Sequence, residues 1–462
     1  MSHNWKEYVG DKNFYRSILK IAIPVSAQQL ITVGINLMDT VMLSSMGDIQ
    51  LSAAAQAGQF INLFQIFCMG IGMGASVLTA RFWGMEDKIS LRKAVTIMLR
   101  IVLAFATVFF LATLCFPKTI MLFYTSNEET IRYGVSYLQW ILPTYYCMGL
   151  SLTCTIVLRS VGEVRIPLIS SFLSFFINIF FNWVFIFGKL GAPRMEIAGA
   201  ALGTLIARIF ELLFICGFFI LKDSRIEYRF HHLAMPCRNL LREYFRISIP
   251  VLVSDGLLAL GNNSVAMIMG RIGDTFVAAN SVTMVVQQLS SVLTQGVSNA
   301  SGIITGHTMG RGEYDKAQKQ GYTFLLLGAL VGFLAAAAIL LLRTPIIGYY
   351  QVSQQAKEIS FQLMDAISFI IIFQAMNSIL TKGVLRAGGD TKFLMAGDIL
   401  FLWVASIPLG MLAGLVWHWP PFWIYSMLKI DQILKCVWCF FRLRSRKWMK
   451  KISAAPAEEK AA

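Results

Sequence analysis

Charge is scarce in this sequence. Only 14% of the 462 residues are Asp, Glu, Lys or Arg, against about 25% in a soluble domain, and mean hydropathy is +0.63. A soluble chain this apolar has no means of covering its surface, which excludes an ordinary water-soluble fold. Histidine is scarcer still. His3, His231, His232, His307 and His418 all fall in loops or at the ends of hydrophobic runs, which argues against an intramembrane enzyme using His and against a haem protein. The eight cysteines make no disulfide framework, because Cys68, Cys115, Cys147, Cys154 and Cys216 sit within apolar runs. Cys436-Val-Trp-Cys439 has CxxC spacing but no second pair and no neighbouring His, so metal or redox chemistry is not expected there. The first twenty residues are polar, with no apolar stretch and cleavage site, and no cleavable signal peptide is expected.

Long hydrophobic runs are what the sequence has instead. Residues 97–116 hold one charge, Arg100, and residues 324–342 hold none. About 20 such residues cross a bilayer as a helix, because lipid offers no partner for an unpaired backbone group. Twelve spans are predicted, over 18–45, 52–80, 94–116, 130–158, 166–188, 196–221, 246–270, 277–306, 321–343, 358–385, 392–416 and 420–441. The second and eighth are polar on one face, and the twelfth contains Lys429, Asp431 and Lys435. A net charge of +15 would suggest nucleic acid in a soluble protein. Here the basic residues cluster at the ends of runs, so they orient the chain and no nucleic-acid partner is expected. Alternate loops together with the two ends hold 28 Lys and Arg, and the opposite loops hold seven: Lys118, Arg132, Lys189, Arg194, Arg271, Arg343 and Lys357. That bias predicts cytoplasmic termini and an even number of spans.

The chain also repeats itself. Ile23-Pro24-Val25 recurs as Ile249-Pro250-Val251, and Gly47-Asp48 as Gly273-Asp274, both 226 residues on. Gly84 and Lys93 recur as Gly310 and Lys319 at that offset, and Leu158-Arg159-x-x-Gly162-Glu163 recurs as Leu385-Arg386-x-x-Gly389-Asp390 at 227. Each repeat holds six spans, an even number, so both halves share one orientation. The expected fold is an all-α polytopic membrane protein: twelve transmembrane helices in two six-helix lobes related by a pseudo-two-fold axis along the membrane normal. The predicted N-lobe is 1–221, the basic cytoplasmic linker 222–245, and the C-lobe 246–462 with a basic cytoplasmic tail.

Polar groups inside the spans mark candidate sites, because a charge at the bilayer centre costs at least about 2.5–3.5 kcal/mol. Gln29, Thr32, Asn36 and Asp39 are spaced 3, 4 and 3 apart, on one face of the first span. A face this polar lines water or pairs with another helix. The fifth span carries Ser171, Ser174, Asn178 and Asn182 on one face, and the sixth carries Thr204. The hydroxyls serve helix–helix hydrogen bonding as readily as a cavity, whereas Asn178, Asn182 and Asp39 together favour a lined cavity. In the second half the candidates are Asp255 and Asn262, then Gln287, Ser291, Gln295 and Ser298, then Asp365, Ser368 and Asn377. Asp255 and Asp365 lie near span ends and fit an interfacial place equally well. Arg208 and Glu211, three apart, are expected to pair with each other, and Asp398 has no evident partner. Burial disfavours the charged form of a carboxyl group, and titration near neutral pH would let Asp39 gain a proton from one side and lose it on the other. The same oxygen-rich group binds a hard cation such as Na⁺, and residue types do not separate the two.

Four segments carry a resemblance. They are Met38-Asp39-Thr40-Val41-Met42 followed by Met46-Gly47-Asp48; Thr79-Ala80-Arg81-Phe82-Trp83-Gly84-Met85-Glu86-Asp87; Leu158-Arg159-Ser160-Val161-Gly162-Glu163; and Leu385-Arg386-Ala387-Gly388-Gly389-Asp390-Thr391. In this order within a 6+6 repeat, the chain resembles the MATE (multidrug and toxic compound extrusion) transporters over nearly its whole length. The resemblance implies antiport of amphipathic, often cationic compounds against H⁺ or Na⁺, by alternating access between two lobes. It implies a cation-coupling site at Asp39 with Asn178, Asn182 and Thr204, no cofactor, and no metal beyond Na⁺ at Asp39. DinF-like members often carry an aspartate where Asn182 stands, and the NorM-like carboxylates of spans seven and ten fall on Leu258 and Ala375. The loop residues Gly84, Gly162 and Gly389 are expected to make tight turns, and Arg159 and Arg386 to act as cytoplasmic anchors.

A lipid-linked oligosaccharide flippase must hold a pyrophosphate, yet residues 22–80 contain no Lys or Arg. A membrane-embedded enzyme needs a convergent catalytic set within the spans, and none is present. A passive channel does not need a two-lobed repeat with a buried titratable group. The favoured reading is multidrug efflux from a bacterial inner membrane by a monomer, with small organic cations as substrates.

Overall fold

The computed structural model describes residues 11–349 and 353–451, apart from the side chains of Ser44 and Asp48. The Asp48 side chain of the first motif, His3, and the basic residues Lys6 and Lys460 therefore lie outside the described residues. Every regular element among them is helical. In chain order they are α1 (Lys12–Ser44), α2 (Asp48–Gly84), α3 (Lys88–Cys115), α4 (Pro117–Tyr124), α5 (Glu128–Ile141), α6 (Thr144–Ser160), α7 (Arg165–Phe187) and α8 (Ile197–Gly217). After a 3₁₀ turn at Phe230–Ala234 come α9 (Arg238–Ile272), α10 (Asp274–Gly310), α11 (Tyr314–Tyr349) and α12 (Gln354–Ser378). The last part runs through π-helical stretches: Ile379–Val384 into α13 (Leu385–Ala387), then α14 (Thr391–Asp398), Ile399–Ser406, α15 (Ile407–Met411) and Leu412–Val416. Two short helices close it, α16 (Pro421–Leu428) and α17 (Ile430–Arg444).

Among the described residues, ten helices are long and apolar enough to cross a membrane. The fourth predicted span is α5 and α6, bent by 55°. Pro143 sits at that break and cannot donate the backbone hydrogen bond a straight helix needs. The twelfth predicted span is α16 and α17, interrupted at Lys429, where Lys429, Asp431 and Lys435 keep it below the apolarity of the others. The helix α4 was not foreseen, because its eight residues continue the apolar character of α3 past Phe116. Pro24 and Pro250 both lie inside helices, at matching places in the repeat.

The exterior is apolar. On α7 the buried face is Ser170, Ser171, Ser174, Asn178 and Asn182, while Phe172, Phe176, Phe180 and Trp183 are 40–53% exposed. A helix that hides amides and shows aromatics is built for lipid outside and polar partners inside.

The chain divides into two compact units. The described part of one lies within Met1–Ser26, Ala80–Glu86 and Ile249–Ala454, and that of the other within Ala27–Thr79 and Asp87–Ser248. The first turns of α1 belong with the C-terminal unit because a Cβ on Gly296 of α10 would meet Ala22 O at 2.5 Å, and Ser26 Oγ donates to Val292 O.

The repeated loop motif makes the same turn twice. Gly162 and Gly389 have φ of +81° and +75°, and Glu163 N donates to Leu158 O as Asp390 N donates to Leu385 O. Gly84 does something else. It ends α2, the left-handed residue nearby is Glu86, and a Cβ on Gly84 would lie 2.4 Å from His307 O; it is a close-approach glycine. Arg159 and Arg386, expected as cytoplasmic anchors, make bonds that the sequence did not indicate. Each turns into its own unit, Arg159 onto Gln28 Oε1 and Arg386 onto Asp255 Oδ1 at 3.3 Å. The acids of the motif hold the segment that leaves each half: Glu163 pairs with Arg225 at 2.8 Å, and Asp390 with Arg442 at 2.6 Å.

Candidate functional site

In the N-terminal unit, α1, α7 and α8 meet around one polar chain. Asn182 Nδ2 donates to Asp39 Oδ1 at 2.7 Å and lies 3.3 Å from Asn178 Oδ1. Asn178 Nδ2 in turn lies 3.4 Å from Thr204 Oγ1. Asn178 and Asn182 are 2% and 1% exposed. Four residues 165 positions apart in sequence are thus strung together inside one unit. The apolar cluster of Leu43, Ala53, Ala54, Ile186, Ile197 and Ala200 packs at the adjoining ends of α1, α2, α7 and α8. Glycine makes the crossing possible: a Cβ on Gly203 of α8 would lie 2.2 Å from Asn182 Oδ1. Asn182 Oδ1 and Ser174 Oγ are buried with no hydrogen-bond partner among the described residues. Unpaired buried acceptors are costly, so the site holds oxygen atoms suited to a proton donor or a hard cation.

Arg208 lies one turn beyond Thr204 on α8 and within electrostatic reach of Asp39. It pairs with Glu211 at 2.8 Å, as its spacing predicted. Tyr137 of α5 is close enough to feel both Asp39 and Arg208. Sequence reasoning missed Tyr137, since a lone tyrosine at a helix end carries no signal. It also chose Gln29 over Gln28. Gln29, Thr32 and Asn36 are exposed on the face they share, whereas Gln28 is buried and donates to Ser171 Oγ at 2.7 Å.

The C-terminal candidates do not converge on one site. Asp255 is taken by Arg386, Asp365 by Arg343, and Gln287 donates to Gln374 at 3.0 Å. Asn377 donates to Gln432 at 3.0 Å, Asn262 is exposed, and Gln295 is half-buried. Asp398, which had no evident partner in the sequence, is bound by Lys435 at 3.0 Å and accepts from Ser254. Among the described residues no three His, Cys, Asp or Glu side chains form a metal-ligand group. All eight cysteines are free, Cys436 and Cys439 included.

Comparison with known proteins bears on the same architecture. The multidrug resistance protein NorM of Aliivibrio fischeri is 23% identical, over 88% of this chain and 89% of its own. An uncharacterized transporter, YisQ, of Bacillus subtilis is 24% identical over 96% of both chains. A solved MOP superfamily transporter from Pyrococcus furiosus superposes with a TM-score of 0.85 at 18% identity, covering 98% of this chain and 100% of that one. An outward-facing multidrug resistance MATE family transporter superposes at 0.84, also at 18% identity, covering 96% and 98%. The fold is therefore that of an all-α, two-lobed polytopic membrane protein. The MatE family model matches residues 24–184 and 250–412, both halves of the repeat and well over half the chain, and the chain belongs to the MatE family.

Proposed function

We propose that this protein is a secondary active multidrug efflux transporter, exporting amphipathic, often cationic small molecules in exchange for H⁺ or Na⁺. Membership of the MatE family and relatives named multidrug resistance proteins support efflux. The observation that carries the coupling site is the hydrogen-bonded chain Asp39–Asn182–Asn178–Thr204 with an unpaired buried amide oxygen at its centre. An ion taken up there neutralises the carboxylate and supplies the partner that Asn182 Oδ1 lacks. Either change alters which of α1, α7 and α8 pack best, and that drives alternation between inward-open and outward-open arrangements of the two lobes. The transporter acts as a monomer in the bacterial inner membrane, with both termini in the cytoplasm and no cofactor. An oligosaccharide-lipid flippase would need several cations free to bind pyrophosphate; residues 22–80 contain no Lys or Arg, and Arg208 is paired with Glu211.

The test is reconstitution in liposomes with a fluorescent organic cation, under an imposed pH gradient and then a Na⁺ gradient, with Asp39→Asn alongside. Gradient-driven transport that is lost in the variant supports the reading, and the effective gradient names the ion. Transport surviving in Asp39→Asn overturns the coupling site. No cation transport under either gradient overturns efflux and favours the flippase.

A further inference from the structure

The repeat extends to individual contacts. In the N-terminal unit Gln28 of α1 bonds Ser171 of α7. In the C-terminal unit the residues at offsets 226 and 227, Ser254 of α9 and Asp398 of α14, bond each other. Thr204 and Arg208 of α8 correspond at offset 227 to Asp431 and Lys435 of α17. The other three members of the N-terminal chain have no polar counterpart: Asp39, Asn178 and Asn182 fall on Val265, Ala405 and Leu409. The second half thus lacks the N-terminal carboxylate and carries two others at neighbouring places.

Those two carboxylates already hold a cation. Lys435 Nζ lies 3.0 Å from Asp398 Oδ1 and 3.2 Å from Asp431 Oδ2. The three side chains are 4%, 11% and 3% exposed. Gln432 Nε2 donates to Asp431 Oδ2 at 2.6 Å, and Asn377 Nδ2 donates to Gln432 Oε1. Asn377 is 6% exposed and its Oδ1 is buried without a partner among the described residues. Helices α14 and α17 thus hold one ammonium group, with α9 bonded to Asp398 through Ser254 and α12 bonded to Gln432 through Asn377. Among the described residues, Lys382, which also feels the Asp255–Arg386 pair, and Lys429 lie within electrostatic reach of this cluster.

We propose that the C-terminal half contains a monovalent-cation site occupied by its own side chain, with the Lys435 ammonium as a tethered ion between Asp398 and Asp431. An ammonium and a hydrated-stripped Na⁺ make the same demand: several oxygen atoms and a compensating negative charge. Because the lysine cannot leave, this half does not exchange ions, and exchange is confined to the other half. Only that last clause rests on the proposed coupling site at Asp39. Removing the ammonium leaves two carboxylates and the Ser254 hydroxyl around a vacated space, which an inorganic cation fills.

The test uses the full chain in detergent, in an Asp39→Asn background so that ion binding at the N-terminal unit does not contribute. Thermal unfolding is followed in NaCl against choline chloride at equal ionic strength. In Asp39→Asn/Lys435→Ala, Na⁺ raises the midpoint saturably by about 2 °C or more, as a ligand that binds only the folded state does; Asp39→Asn alone shows no such rise. Methylammonium, which restores the missing group, is the second probe and raises the midpoint likewise. A midpoint equal in Na⁺, methylammonium and choline overturns the proposal. If Lys435→Ala does not fold, Asp431→Asn/Lys435→Gln, which keeps the cluster's net charge, folds and ignores Na⁺. Failure of that variant to fold also overturns the proposal. The readout is binding, so a failed transport experiment at Asp39 leaves it intact.

Discussion

Substituting Gly203 by Ala perturbs the candidate coupling site through its packing and leaves every polar group in place. An added Cβ would lie 2.2 Å from Asn182 Oδ1, 2.9 Å from the Asn182 backbone nitrogen and 3.1 Å from the Phe181 carbonyl carbon. Two of these are backbone atoms, so rotating the amide does not relieve the clash and α7 must move from α8. Ordinary contact requires about 1 Å of movement at the amide. Asn182 lies 2.7 Å from Asp39 and 3.3 Å from Asn178, and a shift of that size is enough to take both beyond hydrogen-bond reach. A hydrogen bond to a carboxylate contributes about 1.5–3 kcal/mol, and a loss of about 2 kcal/mol is roughly a 30-fold change in a binding constant. Transport in proteoliposomes, measured against cation concentration, should therefore show a half-saturation shifted by about 30-fold. The sign names the ion. Losing an oxygen ligand raises the Na⁺ concentration required, whereas losing an N–H donor that favours the charged carboxylate lowers the proton concentration required. Gly217→Ala is the control, since a Cβ there meets nothing within 4 Å. Equal cation dependence in the two folded variants would refute the reasoning.

Two further outcomes follow from contacts outside that site. Asp255→Asn leaves the Arg386 guanidinium, 8% exposed, without its carboxylate; breaking a buried pair costs about 3 kcal/mol or more, and Asp255→Asn/Arg386→Gln recovers most of the lost midpoint in thermal unfolding. A double variant no more stable than the single one would remove Asp255 from its structural role. In the linker, Arg229 N–H donates to His232 Nδ1 at 2.9 Å, a bond only the neutral ring accepts. Burial, then the charges of His231 and Arg92, hold the His232 pKa below its ordinary 6.5. The folded value lies below the unfolded one, so this contribution is intact above about pH 6.5 and is lost as pH falls through the folded value. Hydrogen exchange over residues 226–235, corrected for intrinsic rates, should quicken between about pH 7.5 and 5.5; unchanged protection would contradict the assignment.

Much of the architecture was legible in the sequence because lipid enforces it. Spans had to be long and helical, so ten of the predicted spans appear as continuous helices and an eleventh as a bent pair. Asp39, Asn178 and Asn182 were legible because polar residues at helical spacing in an apolar run have few bland explanations. Their partners were less so. Gln28 and Gln29 are adjacent and equally polar, and only the direction in which α1 faces α7 decides that Gln28 is buried. Asp255 and Asp365 read as cavity or interface groups until Arg386 and Arg343 were found beside them, 131 and 22 residues away in sequence.

The sequence by itself determined the membrane setting, the helical class, the two-fold repeat and the identity of the carboxylate in the first span. It could do so because each follows from local composition, from period, or from a motif copied at a fixed offset. Only the tertiary structure decided what each buried charge faces. It put Asn182 against Asp39, turned Arg159 and Arg386 inward, and closed Lys435 between Asp398 and Asp431. Electrostatic partnership depends on which helix faces cross at distances near 3 Å, and sequence separation does not encode that.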